Sequence, residues 1–171
     1  VKVPAEVYLA CVNAAEAYNL PLLLLLAIAY VESSFNPKAL GDYDAFGKPH
    51  AFGLFQLHDR GAGAGYPTAV LFGPFANADI AARYLARAFE LFEGNELEAI
   101  AAFNLGYAGV RRKGWEAARG YVEKVLAIEK QLQEEGIEIV GTIEDIPPRG
   151  CLALPLELFL SAGRRLWRLK L

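Results

Sequence analysis

The sequence predicts a mainly α-helical fold. Two observations carry this. Apolar residues make up 54% of the 171 positions, with leucine and alanine dominating, which favours a packed helical globule over disorder. Apolar residues also recur at helical spacing along several stretches, separated by glycine, proline and asparagine breaks. The length suits one domain of ordinary size with a substantial core. We place that domain at residues 1–136, with residues 137–171 as a C-terminal extension.

The elements follow in order. Residues 4–19 form a helix with Val7, Cys11, Ala14, Ala15 and Tyr18 at helical spacing, broken by Asn19-Leu20-Pro21. Pro21 suits the first turn of a second helix, about 21–33, whose residues are apolar nearly all round and which is therefore central. Its apolar run is about half the length of a membrane span and leads into Glu32, so it is a core helix. Residues 38–53 are loop-like, Gly53 to Leu57 a short helical turn, and Gly61 to Tyr66 a flexible segment beside a groove. The run Gly61-Ala-Gly-Ala-Gly65 lacks the lysine and hydroxyl ending of a phosphate loop. A clear amphipathic helix spans Asn77 to Phe92, with Ile80, Ala81, Tyr84, Leu85, Ala88 and Phe92 on one face. Helices over Glu96 to Asn104 and Trp115 to Glu135 complete the domain, with Tyr107 to Gly109 turning the chain between them and Gly136 as a cap. Ile137 to Ile143 alternates weakly and is expected as a short strand or extended arm. Leu152 to Leu171 is expected as a basic amphipathic helix that packs back on the domain or meets an anionic membrane surface or a partner.

Composition narrows the chemistry. The net charge of −3 gives no global case for nucleic-acid binding. Two cysteines, Cys11 and Cys151, form no CxxC pair, and with two histidines the chain lacks the ligand pattern of a zinc site. No cofactor or metal is called for. The cysteines are either two buried thiols or one long-range disulfide. The sequence begins at Val1, and no charged leader followed by an apolar run and a cleavage site is visible in it.

The chemistry centres on Glu32. The apolar helix leads straight into this carboxylate, and Pro37 disfavours helical geometry at Asn36, so the helix stops within a few residues of Glu32. A carboxylate at the end of a buried helix loses water and its pKa rises, which is what a general acid near neutral pH needs.

Five segments extend this reading. Glu32-Ser-Ser-Phe-Asn-Pro37, Gly53-Leu-Phe-Gln56, Asn77 with Tyr84-Leu85, Ala102-Phe-Asn-Leu-Gly106 and Tyr121-Val122 occur in that order. Together they resemble the SLT-type catalytic domain of lytic transglycosylases, over roughly residues 5–130. The resemblance implies a lysozyme-like fold and cleavage of peptidoglycan glycan strands outside the cytoplasmic membrane, in the cell envelope or from a phage particle or secretion apparatus. It implies that Glu32 is the sole catalytic acid/base and that Ser33 supports it or the neighbouring sugar. It places Gln56 on the N-acetyl sugar, Phe55 in the cleft wall, Asn104 along the cleft and Tyr121 against Glu32. Phe103 stands at this family's usual tyrosine, so Tyr107 or Tyr43 becomes the candidate replacement hydroxyl. Ala81 stands at its usual glycine. The loop after Pro37 is longer than in simple members and carries Asp42 and Asp44; with Asp59, these are the residues that would hold a water if the enzyme hydrolysed as a muramidase. A glycan-binding module without turnover is the alternative of another class.

Overall fold

The structure, a computed structural model, describes residues 1–142. The expected basic helix at 152–171 and any partner role of Cys151 lie outside the described residues. Among them, helix α1 (Ala5–Tyr18) follows a short strand β1 (Lys2–Pro4) and ends at Asn19, whose φ of 50° turns the chain left-handed. Helix α2 (Leu22–Ser33) starts after Pro21, as its missing N–H allows. Leu24 to Ala29 are completely buried, so α2 is the central helix that its all-round apolar sequence predicts. It stops earlier than Pro37 requires: Ser34 (φ 52°) and Phe35 (φ 66°) are consecutive left-handed residues directly after the last turn. Neither is glycine, so the helix end holds backbone strain of the kind that surrounding structure must over-determine.

The segment expected as a loop is a sheet. Strands β2 (Leu40–Tyr43), β3 (Pro49–Phe52) and β4 (Leu57–His58) pair antiparallel, with Leu40 opposite Phe52 and Ala51 opposite His58. The strands are two to four residues long, and β2 is mostly exposed on both faces while β3 is mostly buried. No period-two alternation therefore marks them. Their register is set by the turn between them, where Asp44 Oδ1 accepts the N–H groups of Phe46 and Lys48, each at 2.9 Å.

A one-turn helix α3 (Thr68–Leu71) precedes α4 (Pro74–Leu91), which starts three residues before Asn77 with Pro74 in its first turn. Asn95 caps α5 (Glu96–Leu105) by accepting the Glu98 N–H. The expected turn at Tyr107 is instead the start of α6 (Tyr107–Lys113), because Gly106 at φ 71° reverses the chain within one residue. The last helix is also split: Trp115–Ala118 forms a 3₁₀ turn, and α7 (Arg119–Glu135) follows, ending at Gly136. Strand β5 (Glu138–Val140) then pairs parallel with β1.

α1 packs on α4, and α2 packs on α7. Ala81 is fully buried in this core, as are Ala78, Ala82 and Leu85. Cys11 is buried too, and loss of water pushes its thiol up to about 12, which leaves it unreactive in the folded state. Among the described residues no helix is long and apolar enough to cross a membrane.

Candidate active site

Glu32 lies in the last turn of α2, half-buried. Burial pushes its carboxyl up to about 7, and the bond from Tyr121 pulls in the opposite direction. The Tyr121 hydroxyl donates to Glu32 Oε1 at 2.5 Å. Tyr121 belongs to the first turn of α7, and Val122 and Val125 seat that helix in the core. Burial and the Glu32 carboxylate hold the Tyr121 hydroxyl well above its ordinary value, so it stays a proton donor across the working range. The two helices that pack together thus also join the Glu32 carboxyl to the Tyr121 hydroxyl.

Ser33 does not bond to Glu32. Its hydroxyl donates to the Leu54 carbonyl at 2.7 Å, with the Ala29 carbonyl 3.1 Å away. It ties the end of α2 to the turn at Gly53–Gln56, which leads from β3 to β4. That turn is tightly specified. Gly53 has φ 78°, and a Cβ there would meet the Leu71 carbonyl oxygen at 2.1 Å and Asn77 Nδ2 at 2.6 Å. Gly53→Ala is therefore expected to cost at least ~2 kcal/mol from the left-handed backbone and the clash together. Urea unfolding of the purified variant measures this, and an unchanged midpoint would show that the turn relaxes freely.

Gln56 is half-buried with φ 46°; its Nε2 donates to the Gly53 carbonyl at 2.9 Å. Its Oε1 lies against Gly41, where a Cβ would stand only 2.3 Å away, so a side chain at that point of β2 would displace the Gln56 amide. Phe55, expected in the cleft wall, is completely buried. Its ring lies beside Phe103, with centroids 6.2 Å apart. Phe103 is half-buried and meets Tyr84 edge-on at 5.8 Å, while Asn104 is exposed in the last turn of α5. Tyr107 stacks on Tyr84 at 4.3 Å and donates to the Tyr84 carbonyl, and Tyr43 is exposed on β2.

The three aspartates are engaged by the sheet itself. Asp42 Oδ2 lies 2.8 Å from His58 Nε2, and Asp59 Oδ2 lies 2.9 Å from His50 Nδ1. Asp44 Oδ2 is 3.4 Å from His50 Nε2, and the two imidazoles stack at 5.7 Å. The backbone N–H of Lys48, with that of Phe46, holds Asp44 below the usual carboxylate range; the His50 bond does the same for Asp59. The residue that the sequence reading left without a role is Asn77. It occurs in one of the five segments, but only the structure gives it partners: the Phe55 N–H and the carbonyls of Phe52 and Leu71.

Residues 10–124 match the family model described as the transglycosylase SLT domain. Among solved structures, the chain is similar to the 70 kDa soluble lytic transglycosylase of Escherichia coli, with 26% identity and a TM-score of 0.58 over 70% of this chain and 23% of that one. It is also similar to an inactive mutant of the lytic transglycosylase Slt of Pseudomonas aeruginosa, with 25% identity and a TM-score of 0.60 over 74% of this chain and 24% of that one. This chain spans less than a quarter of the length of either protein, at 23% and 24%.

Proposed function

The chain belongs to the transglycosylase SLT domain family, with the lysozyme-like fold of that family, and on that premise we propose that it cleaves the β-1,4 bond between N-acetylmuramic acid and N-acetylglucosamine in peptidoglycan. The observation that carries this reading is the Glu32–Tyr121 pair, a carboxyl held near 7 with a hydroxyl fixed on one of its oxygens. An acid with that pKa is protonated in a large fraction of molecules at neutral pH, and can both give and take a proton there.

In the first step Glu32 gives its proton to the glycosidic oxygen as the C1–O bond breaks. The carbonyl oxygen of the muramic acid N-acetyl group bonds to C1 from the other face, giving a cyclic oxazolinium. In the second step the ionised Glu32 takes the proton of the 6-hydroxyl. That oxygen bonds to C1, the ring bond to the N-acetyl oxygen breaks, and a 1,6-anhydro end forms. Glu32 recovers its proton, and no water is consumed. Most glycosidases need a second carboxylate across the bond. Asp42, Asp44 and Asp59 are instead paired with His58 and His50, which favours the substrate-assisted route over a muramidase. Gln56 and Asn104, with Phe103 in the wall, are the side chains we assign to the sugars. Such a substrate lies in the cell envelope, and that is where we assign the activity.

The test is mass analysis of muropeptides released from purified peptidoglycan. Anhydro ends, one water lighter than reducing ends, are the expected product. Reducing ends would make the enzyme a muramidase and return attention to the aspartates. Wall binding without product would make it a glycan-binding module.

A further inference from the structure

We infer that Asn77 is a positioning residue for Glu32, acting through one peptide group of the Gly53–Gln56 turn. Asn77 lies in the first part of α4 and is completely buried, an unusual place for an amide. Its side chain is fully used. Oδ1 accepts the Phe55 N–H at 2.8 Å, and Nδ2 donates to the carbonyls of Leu71 at 2.7 Å and Phe52 at 3.1 Å. One side chain therefore joins the end of β3, the end of α3 and the turn between β3 and β4.

The Phe55 N–H and the Leu54 carbonyl are the two ends of the same planar peptide group. Asn77 holds the N–H end, and the Ser33 hydroxyl holds the carbonyl end at 2.7 Å. Rotation of that plane would break both bonds together. The far partner, Ser33, is the residue after Glu32 and closes α2, just before the left-handed Ser34 and Phe35. Asn77 thus fixes the plane, the plane fixes Ser33, and Ser33 fixes the strained helix end that carries Glu32. The side chains of Leu54 and Phe55 on either side of this group are completely buried, so a lost partner leaves a buried polar group unpaired unless the turn itself shifts and lets water in.

This inference rests on Glu32 being the acid, and the experiment is chosen to separate the two. Asn77→Ala, Ser33→Ala and the double variant are compared by thermal unfolding, by carbon-13 NMR titration of Glu32 and by muropeptide release, well below each melting temperature. With the plane freed, water reaches the end of α2, and the Glu32 midpoint is expected to fall from about 7 by ~1 unit in Asn77→Ala. Release should fall ~10–100-fold through kcat, the usual scale for a catalytic group displaced by an ångström. The double variant should be no worse than the poorer single variant, because both bonds hold one plane. If Asn77→Ala does not fold, Asn77→Asp keeps the volume and an acceptor for the Phe55 N–H, and carries the same readouts with a smaller shift. A lowered melting temperature with the Glu32 midpoint and release per folded molecule unchanged would overturn the inference, as would losses that simply add. If the wild type releases no product, the proposed activity fails, while the titration and its cycle still decide the role of Asn77.

Discussion

Glu32→Gln is expected to abolish cleavage and, at the same time, to make the fold more stable above pH 5. The amide keeps the shape of the carboxyl and a partner for Tyr121, but has no proton to give. The stability gain follows from the raised pKa. In the unfolded chain a glutamate titrates near its ordinary value of about 4.3. In the fold Glu32 titrates at about 7, because burial disfavours the charged form. Between those values the folded state holds a proton that the unfolded state has lost, so stability falls as pH rises. Each unit costs about 1.4 kcal/mol, and the whole window is on the order of 4 kcal/mol, constant again above pH 7. The substituted amide cannot ionise and escapes this loss. Thermal unfolding of both proteins at pH 4 and pH 8 should give similar melting temperatures at the lower pH and a clear excess for the variant at the higher. Retained cleavage would remove Glu32 as the acid, and an equal pH dependence would remove its buried state.

Tyr121→Phe is expected to shift the pH–rate profile upward. The Tyr121 hydroxyl donates to Glu32 Oε1 and favours the ionised carboxylate, against the larger effect of burial. Without it Glu32 ionises only at higher pH, so the alkaline limb of the pH–rate profile shifts upward. The variant should also lose ~10–100-fold in rate, because the carboxyl is no longer aimed and its conjugate base is less stable when it must take the 6-hydroxyl proton. The aromatic ring and its packing remain, so the melting temperature at pH 5, where Glu32 is neutral in both proteins, should change little. A profile with the same alkaline limb as the wild type would show that the bond does not tune the acid.

What the sequence discloses, and what it hides, follows from the kind of force at work. Glu32 is legible because a long apolar run must be buried and Pro37 must end it; both are properties of the chain itself. The course of α1, α2, α4 and α5 is legible for the same reason. Tyr121 is a different case. It lies 89 residues away from Glu32, and nothing in its neighbours points to the acid except the resemblance of the ordered segments. The sheet is hidden because short strands of uneven burial carry no alternation, and the Asp44 turn that sets their register looks like loop chemistry. Phe55 is another such case: the resemblance places it in the cleft wall, while the turn buries its ring completely beside Phe103 and ties the Gln56 amide to the Gly53 carbonyl. Asn77 is hidden because a buried amide in an amphipathic helix has the same one-letter signature as a helix start, and its three partners come from three other segments.

The most direct test of the central claim is a carbon-13 NMR titration of the Glu32 carboxyl in the wild-type protein, assigned by comparison with Glu32→Gln. The expected midpoint is about 7, far above those of Asp44 and Asp59, which the Lys48 and Phe46 N–H groups and the His50 bond hold below their ordinary value. A midpoint near 4.3, the ordinary glutamate value, would contradict the claim. Glu32 would then be a solvated residue at the end of a helix, and the proton for the leaving oxygen would have to come from elsewhere.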